Sequence, residues 1–254
     1  MNVVPPRYEN DIKLSADQVQ GHRGASKVAP ENTLAAFRAA RGQQANWVEF
    51  DVSLLGDGTP VVIHDATVDR VATTTGRLQD MVLADLANID VGSRFDAFYR
   101  DERIPTLEAA LECFAAFELN GNLEIKRHPH QTSVDELTGA IHEVLSRRPP
   151  SVRIGISSFD IEALKSMGKL DSSLELAVLW SKLPDNWRDV LADVPTNVIH
   201  LNYKELTFPF LEEATAKGLI VRAWTCNNPQ ELSQYWQAGL SAVITDEPRF
   251  FLSR

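Results

Sequence analysis

Short apolar runs bounded by polar turns recur along the chain, and most are separated by stretches in which apolar residues fall three and four apart. The strand-like runs are QVQGH (18–22), WVEFDV (47–52), PVVIH (60–64), NLEIKR (122–127), VRIGISSF (152–159), LELAVLW (174–180), NVIHLN (197–202), IVRAWTC (220–226) and AVITD (242–246). Helical spacing marks 105–118, where Leu107, Leu111, Phe114 and Phe117 share a face, and also 132–148, 160–170, 185–193, 208–217 and 229–238. This alternation predicts a parallel sheet covered by helices. One junction departs from it. The runs at 47–52 and 60–64 are joined by SLLGDGT with no helix between them. A parallel crossover needs about a dozen residues or more, whereas Asp-Gly is a hairpin turn. The run at 60–64 is therefore the return arm of a hairpin. Eight parallel strands remain, and the expected fold is an α/β, (β/α)8 barrel of the TIM type. The alternative, an open doubly wound sheet, lacks its Gly-x-Gly-x-x-Gly loop here.

Residues 66–104 break the rhythm, mixing polar turns with one short amphipathic piece around 82–89. The stretch is too long for a βα loop and too patterned for a linker. It is expected as an insertion after the His64-Asp65 hairpin, lying over the barrel mouth of a single domain spanning 1–254.

Composition narrows the classes without naming a chemistry. At 44% hydrophobic and 24% charged, 254 residues supply one large core. A net charge of −10 argues against a general nucleic-acid binder, which needs a basic face. It leaves room for a small phosphorylated substrate held by a few local cations. Cys113 and Cys226 stand alone and make neither a disulfide scaffold nor a zinc site, so both are expected as buried, reduced thiols. The opening MNVVPPRYENDIKLSADQVQ lacks a signal-peptide pattern, and no run reaches membrane-spanning length. The expectation is a cytoplasmic monomer or homodimer with no stable membrane association.

The chemistry of a barrel sits at the C-terminal ends of its strands. The first run ends at His22-Arg23-Gly24; Glu49 and Asp51, two apart, point to one face of the second. The hairpin returns His64-Asp65, Glu124 and Lys126 share a face, as do Arg222 and Trp224, and the last run ends at Thr245-Asp246. Three carboxylates inside a barrel repel and lose hydration, so they need a cation or must take up protons. Oxygen ligation by Glu49, Asp51 and Glu124 suits one hard divalent ion, Mg²⁺ or Ca²⁺ with Mn²⁺ as a further option. A structural ion network, with Glu124 on Lys126 and Glu49 or Asp51 on Arg23, is the competing reading. His22 and His64 suit an acid and a base. Arg23 and Lys126 suit phosphate oxygens, and Trp224 suits the apolar side of a small ligand. His200 reads as a core histidine. In PENT (30–33), Asn32 or Thr33 is a natural N-cap, which makes the segment chiefly structural.

GHRG, PENT, VEFDV…DGTPVVIHD, IPTLEAAL, LEIK, AWTCN and AVITDEP occur in an order and spacing that resembles the glycerophosphodiester phosphodiesterase family, over roughly 18–249. VIHLNYKEL looks most like its cytoplasmic bacterial branch. The resemblance implies a (β/α)8 barrel with an insertion after His-Asp. It implies metal-dependent hydrolysis of a glycerophosphodiester to glycerol 3-phosphate and an alcohol such as choline or ethanolamine, hence a place in glycerol and lipid metabolism. It makes His22 and His64 the acid/base pair, Glu49, Asp51 and Glu124 the metal ligands, Arg23 and Lys126 phosphate binders, and Trp224 a substrate-pocket residue. The family mechanism is drawn with attack by the substrate's own 2-hydroxyl, and direct attack by water is the alternative. Two segments depart from the family pattern, DRVATTTGRLQDM after His-Asp and EIKRHPH in place of EIK followed by proline. Activity on lysophospholipids or another lipid-like diester, and a non-catalytic barrel that binds a phosphometabolite, are the alternatives.

Overall fold

Eight parallel strands close on themselves in the computed structural model, which describes residues 14–130 and 133–252. They are β1 (Val19–His22), β2 (Trp47–Leu54), β4 (Asn120–Ile125), β5 (Ile154–Ser158), β6 (Glu175–Trp180), β7 (Val198–Asn202), β8 (Ile220–Trp224) and β9 (Leu240–Thr245). Each pairs with the next, and β1 pairs with both β2 and β9. The remaining strand, β3 (Pro60–Val62), runs antiparallel to β2, with Val52 opposite Val62. The Asp57-Gly58 turn makes this hairpin, Gly58 taking the positive φ of 83° that glycine allows without strain. The helices are α1 (Leu34–Gly42), α2 (Leu107–Ala116), α3 (Val134–Leu145), α4 (Ile161–Leu170), α5 (Trp187–Ala192), α6 (Phe208–Ala216), α7 (Pro229–Leu232) and α8 (Arg249–Leu252).

Alternation along each strand divides two environments. Val48, Phe50, Leu123, Ile156, Val178, Ile199, Val221 and Val243 point outward into one apolar cluster with Phe37, Leu111, Phe114, Leu137, Ile141, Leu164 and Leu211 from the helices. Phe37, Phe50 and Phe114 meet edge to face, with centroids 5.1 to 6.0 Å apart, fastening α1 and α2 to β2. The intervening residues face the barrel axis, and many are polar and buried: Gln20, Glu49, Asp51, Asn122, Glu124, Ser157 and His200. The helix-facing layer therefore carries most of the hydrophobic stabilisation, and the axis is left to chemistry.

Several element ends differ from the sequence expectation. Of the two N-caps offered by PENT, Thr33 is the one used, its side chain accepting from the Ala36 N–H, so α1 begins only at Leu34. The helix expected over 229–238 stops at Leu232. Beyond it, Tyr235, Ala238 and Gly239 donate to carbonyls three residues back, the tighter 3₁₀ pattern. Tyr235 and Trp236 pack on the core and the Tyr235 hydroxyl donates to the Leu206 carbonyl, so tertiary contacts override the helical period. The helix expected over 132–148 begins after the Ser133 cap, residue 132 lying outside the described residues.

Residues 66–104 contain three short 3₁₀ turns, at Leu78–Asp80, Leu83–Asn88 and Ala97–Tyr99, the second matching the amphipathic piece. Val68, Ala72, Leu78, Leu86, Ile89, Val91 and Ile104 bury a small core of their own with Val61 and Ile63 of the hairpin arm. The Tyr99 hydroxyl donates to the Val28 carbonyl and Glu102 pairs with Arg38, tying the segment to the loop before α1 and to α1 itself. Among the described residues no helix is long and apolar enough to cross a membrane.

Candidate active site

Strand register assembles the site. His22 is the direct neighbour of Glu49, and Asp51 of Glu124, so three adjacent strands bring four ionisable side chains to one end of the barrel. His64 follows β3 and enters from the return arm. A cavity of about 170 Å³ lies between them, lined by His22, Arg23, Glu49, His64, Glu124, Lys126 and Trp224. Every sequence-predicted site residue except Asp51 thus lines it, and Asp51 joins its wall through Lys126 and Arg23. A larger hollow of about 520 Å³ opens at the opposite end of the strands, around Trp47, Arg153 and Glu175. It has no histidine and no carboxylate cluster, so size is a poor guide to where the chemistry is.

The loop after β1 is wound tightly to present Arg23. Arg23 and Gly24 have φ of 55° and 83°, and Asn32 has 57°. A Cβ on Gly24 would lie 2.6 Å from the Ala36 carbonyl carbon, so only glycine lets α1 approach so closely. Arg23 then donates from its backbone N–H to Glu49 Oε2 at 3.0 Å and from Nη1 to Glu31 Oε1 at 2.8 Å, while Nε lies 3.2 Å from Asp51 Oδ2. The left-handed Asn32 donates from Nδ2 to Asp51 Oδ2 at 2.7 Å and accepts from the Asp51 backbone N–H at 3.2 Å. The PENT segment thus reaches the site: Glu31 holds Arg23 and Asn32 holds Asp51, while Thr33 does the capping.

Glu49, Asp51 and Glu124 are buried and each offers an oxygen within 4.8 Å of the others. Lys126 Nζ sits 2.5 Å from Glu124 Oε1 and 3.1 Å from Asp51 Oδ1. Both cations of the site are therefore engaged by carboxylates, as the ion-network reading expects. They do not balance it: three carboxylates face one lysine and one arginine. Burial, then repulsion from Asp51 and Glu124, pushes the Glu49 carboxyl well up, and burial with the Asp51 charge pushes Glu124 up to about 7. Burial also opposes ionisation of Asp51, but Lys126 and Arg23 outweigh it and hold that carboxyl at about 2. Glu49 Oε1 is buried with no hydrogen-bond partner. An all-oxygen donor set with one surplus negative charge and one orphaned carboxylate oxygen fits a hard divalent cation.

His22 and His64 are each gripped by an aspartate. His22 Nδ1 lies 2.6 Å from Asp246 Oδ1, and its Nε2 4.0 Å from Glu49. Asp246 is itself fixed by the Ser26 hydroxyl and the Asn227 amide. Burial raises the Asp246 carboxyl, but the His22 contact outweighs that and holds it at about 2. His64 Nδ1 lies 2.6 Å from Asp65 Oδ1. Burial, with the Lys126 and Arg23 charges nearby, lowers the His64 imidazole below its usual range despite Asp51. A carboxylate on Nδ1 requires the proton there and leaves Nε2 free to take or give one.

Trp224 packs edge to face on Phe159 at 5.6 Å, making an aromatic wall. Phe159 is a lining residue that the strand-end rule did not single out, because it follows β5 as an ordinary apolar residue. His200 is fully buried at the cavity floor, and burial followed by the Arg222 charge pushes its imidazole well down. Its Nε2 lies 3.3 Å from Arg222 Nη1, which is in turn held by Glu175. It is the neutral core residue its sequence context suggests.

The chain is 32% identical over 238 residues to a glycerophosphodiester phosphodiesterase of Caldanaerobacter subterraneus subsp. tengcongensis, covering 92% of this chain and 96% of the relative. It is 32% identical to glycerophosphodiester phosphodiesterase 1 of Homo sapiens, over 90% of this chain and 79% of the human protein. The structure of an Oleispira antarctica phosphodiesterase in complex with the product sn-glycerol-3-phosphate superposes with a TM-score of 0.89 at 33% identity, covering 94% of this chain and 98% of the other. Residues 22–249 match the model of the Glycerophosphoryl diester phosphodiesterase family, from the histidine that ends β1 to the start of α8. With the barrel, the two aspartate-held histidines and the carboxylate trio in place, the chain belongs to that family.

Proposed function

We propose that this protein hydrolyses glycerophosphodiesters to glycerol 3-phosphate and an alcohol, with His22 and His64 as its acid/base pair. The observation that carries this is the convergence, at one barrel end, of two histidines each fixed through Nδ1 by its own carboxylate. The sn-glycerol-3-phosphate product on the Oleispira antarctica relative supports the same product class.

Glu49, Asp51 and Glu124 would hold the divalent cation, Mg²⁺, Ca²⁺ or Mn²⁺, which when bound supplies Lewis-acid charge to the phosphate. Lys126 and Arg23, which reach the same cavity, would face the phosphate oxygens. His64, its imidazole lowered by burial and the nearby Lys126 and Arg23 charges, takes the proton from the attacking oxygen at Nε2. That leaves His22 to protonate the departing alcohol from its own Nε2. Trp224 and Phe159 cover the carbon backbone of the glycerol. A cavity of about 170 Å³ suits a small polar diester better than one with an acyl chain. The two buried free thiols, Cys113 and Cys226, support a cytoplasmic home, which cell fractionation would check.

The test is glycerol 3-phosphate release from glycerophosphocholine and glycerophosphoethanolamine, first with chelator and then with each cation restored. Release that returns with a cation supports the reading and names the ion. Folded, metal-supplemented protein that releases nothing from either substrate would overturn it.

A further inference from the structure

One arginine of the 66–104 segment reaches both halves of the site. Arg70 donates from Nε to Asp65 Oδ2 at 2.6 Å, from Nη1 to Glu31 Oε2 at 2.6 Å and from Nη2 to Glu31 Oε1 at 2.8 Å. Each carboxylate uses its other contacts on the site proper. Asp65 Oδ1 faces His64 Nδ1, and Glu31 Oε1 accepts from Arg23 Nη1. An unbroken chain therefore runs His64–Asp65–Arg70–Glu31–Arg23–Asp51, crossing from the hairpin arm through the 66–104 segment to the loop after β1. Only a guanidinium can do this. Its planar fork takes one carboxylate bidentately and a second through Nε, whereas an ammonium is a point charge without fixed directions.

We propose that Arg70 is a positioning residue that sets the two arms of the site together: it aims Asp65 at His64 Nδ1, and it anchors the Glu31 that holds Arg23. This rests on the roles given to His64 and Arg23 above. The two arms have separate kinetic signatures. Loosening Asp65 frees the His64 ring and its tautomer and lowers kcat. Loosening Glu31 lets Arg23 swing and raises KM. Arg70 is half-exposed, so its removal leaves the core untouched.

The experiment compares Arg70→Ala and Arg70→Lys with Asp65→Asn, Glu31→Gln and a control, Arg77→Ala. Arg77 makes a surface pair with Asp80 in the same segment and touches no site residue. Steady-state kinetics on glycerophosphocholine are read beside the His64 ring-nitrogen shifts of ¹⁵N-histidine-labelled, metal-free protein, assigned by their loss in His64→Gln. The expected result for Arg70→Ala is a kcat lower by about tenfold to a hundredfold together with a raised KM. Asp65→Asn moves chiefly kcat, Glu31→Gln chiefly KM, and Arg77→Ala neither. His64 changes from the Nδ1–H tautomer to the mixed tautomers of a free imidazole in Arg70→Ala. Arg70→Lys resembles Arg70→Ala, and its full recovery of native kinetics would overturn the fork argument. A native His64 tautomer in Arg70→Ala would overturn the clamp itself. If the native protein released no glycerol 3-phosphate, the functional reading would fall while the tautomer still decided whether Arg70 positions His64.

Discussion

At the residue scale, the site is a set of paired charges in which few groups act alone. His22→Ala and His64→Ala are expected to lower turnover by about a hundredfold or more, with circular dichroism unchanged. Asp246→Asn keeps the shape at His22 but turns an acceptor into an amide, and a loss of about tenfold to a hundredfold is expected in the same assay. Native turnover in Asp246→Asn would remove that aspartate from the site. His200 gives a pH prediction. Its folded imidazole is held well below the unfolded value, so the native state stays neutral where the unfolded chain takes up a proton. Stability from this residue is complete above about pH 6.5 and is lost as pH falls below it, by up to about 1.4 kcal/mol per unit. Urea unfolding between neutral and mildly acidic pH should show a shallower loss for His200→Gln than for the native chain. Most of these groups were legible as strand-end residues, because barrel geometry says where to look. The pairings made by Asp246 and Glu31 were not. Asp246 meets His22 across 224 positions, and Glu31 reads in sequence only as an acid near a helix start.

At the scale of elements, the loop after β1 is the most constrained piece. Gly24→Ala must put a methyl against the backbone of Ala36 and adopt a left-handed φ, two costs with no flexible neighbour to yield. A loss of about 2 kcal/mol or more is expected by chemical denaturation, with turnover falling as Arg23 is displaced. The aromatic contact behind β2 is a separate test, since Phe114→Ala removes a fully buried ring and should cost about 3–5 kcal/mol without touching the site. Strands and the hairpin were readable because period-two alternation and an Asp-Gly turn are local signals. The early end of α7 was not, because the hydroxyl of Tyr235 and the packing of Trp236 decide it from outside the segment.

For the whole molecule, cation binding and folding are expected to be linked. A ligand that occupies only the folded state at about a hundred times its dissociation constant adds about 2.7 kcal/mol. The melting temperature should rise with the effective divalent ion and fall back with chelator, and less so in Glu49→Gln; an indifferent melting curve would count against a bound cation. The division of each barrel strand into residues that face the helices and residues that face the axis has a wider consequence. Neighbouring positions answer to different selective demands, because the outward set keeps the chain folded and the inward set decides what it acts on. A lineage can therefore rewrite its substrate by drifting through the inward positions alone. A mutational library confined to the inward positions of β5 to β9 should yield many folded proteins with altered preference, and the same library shifted by one residue should yield few that fold.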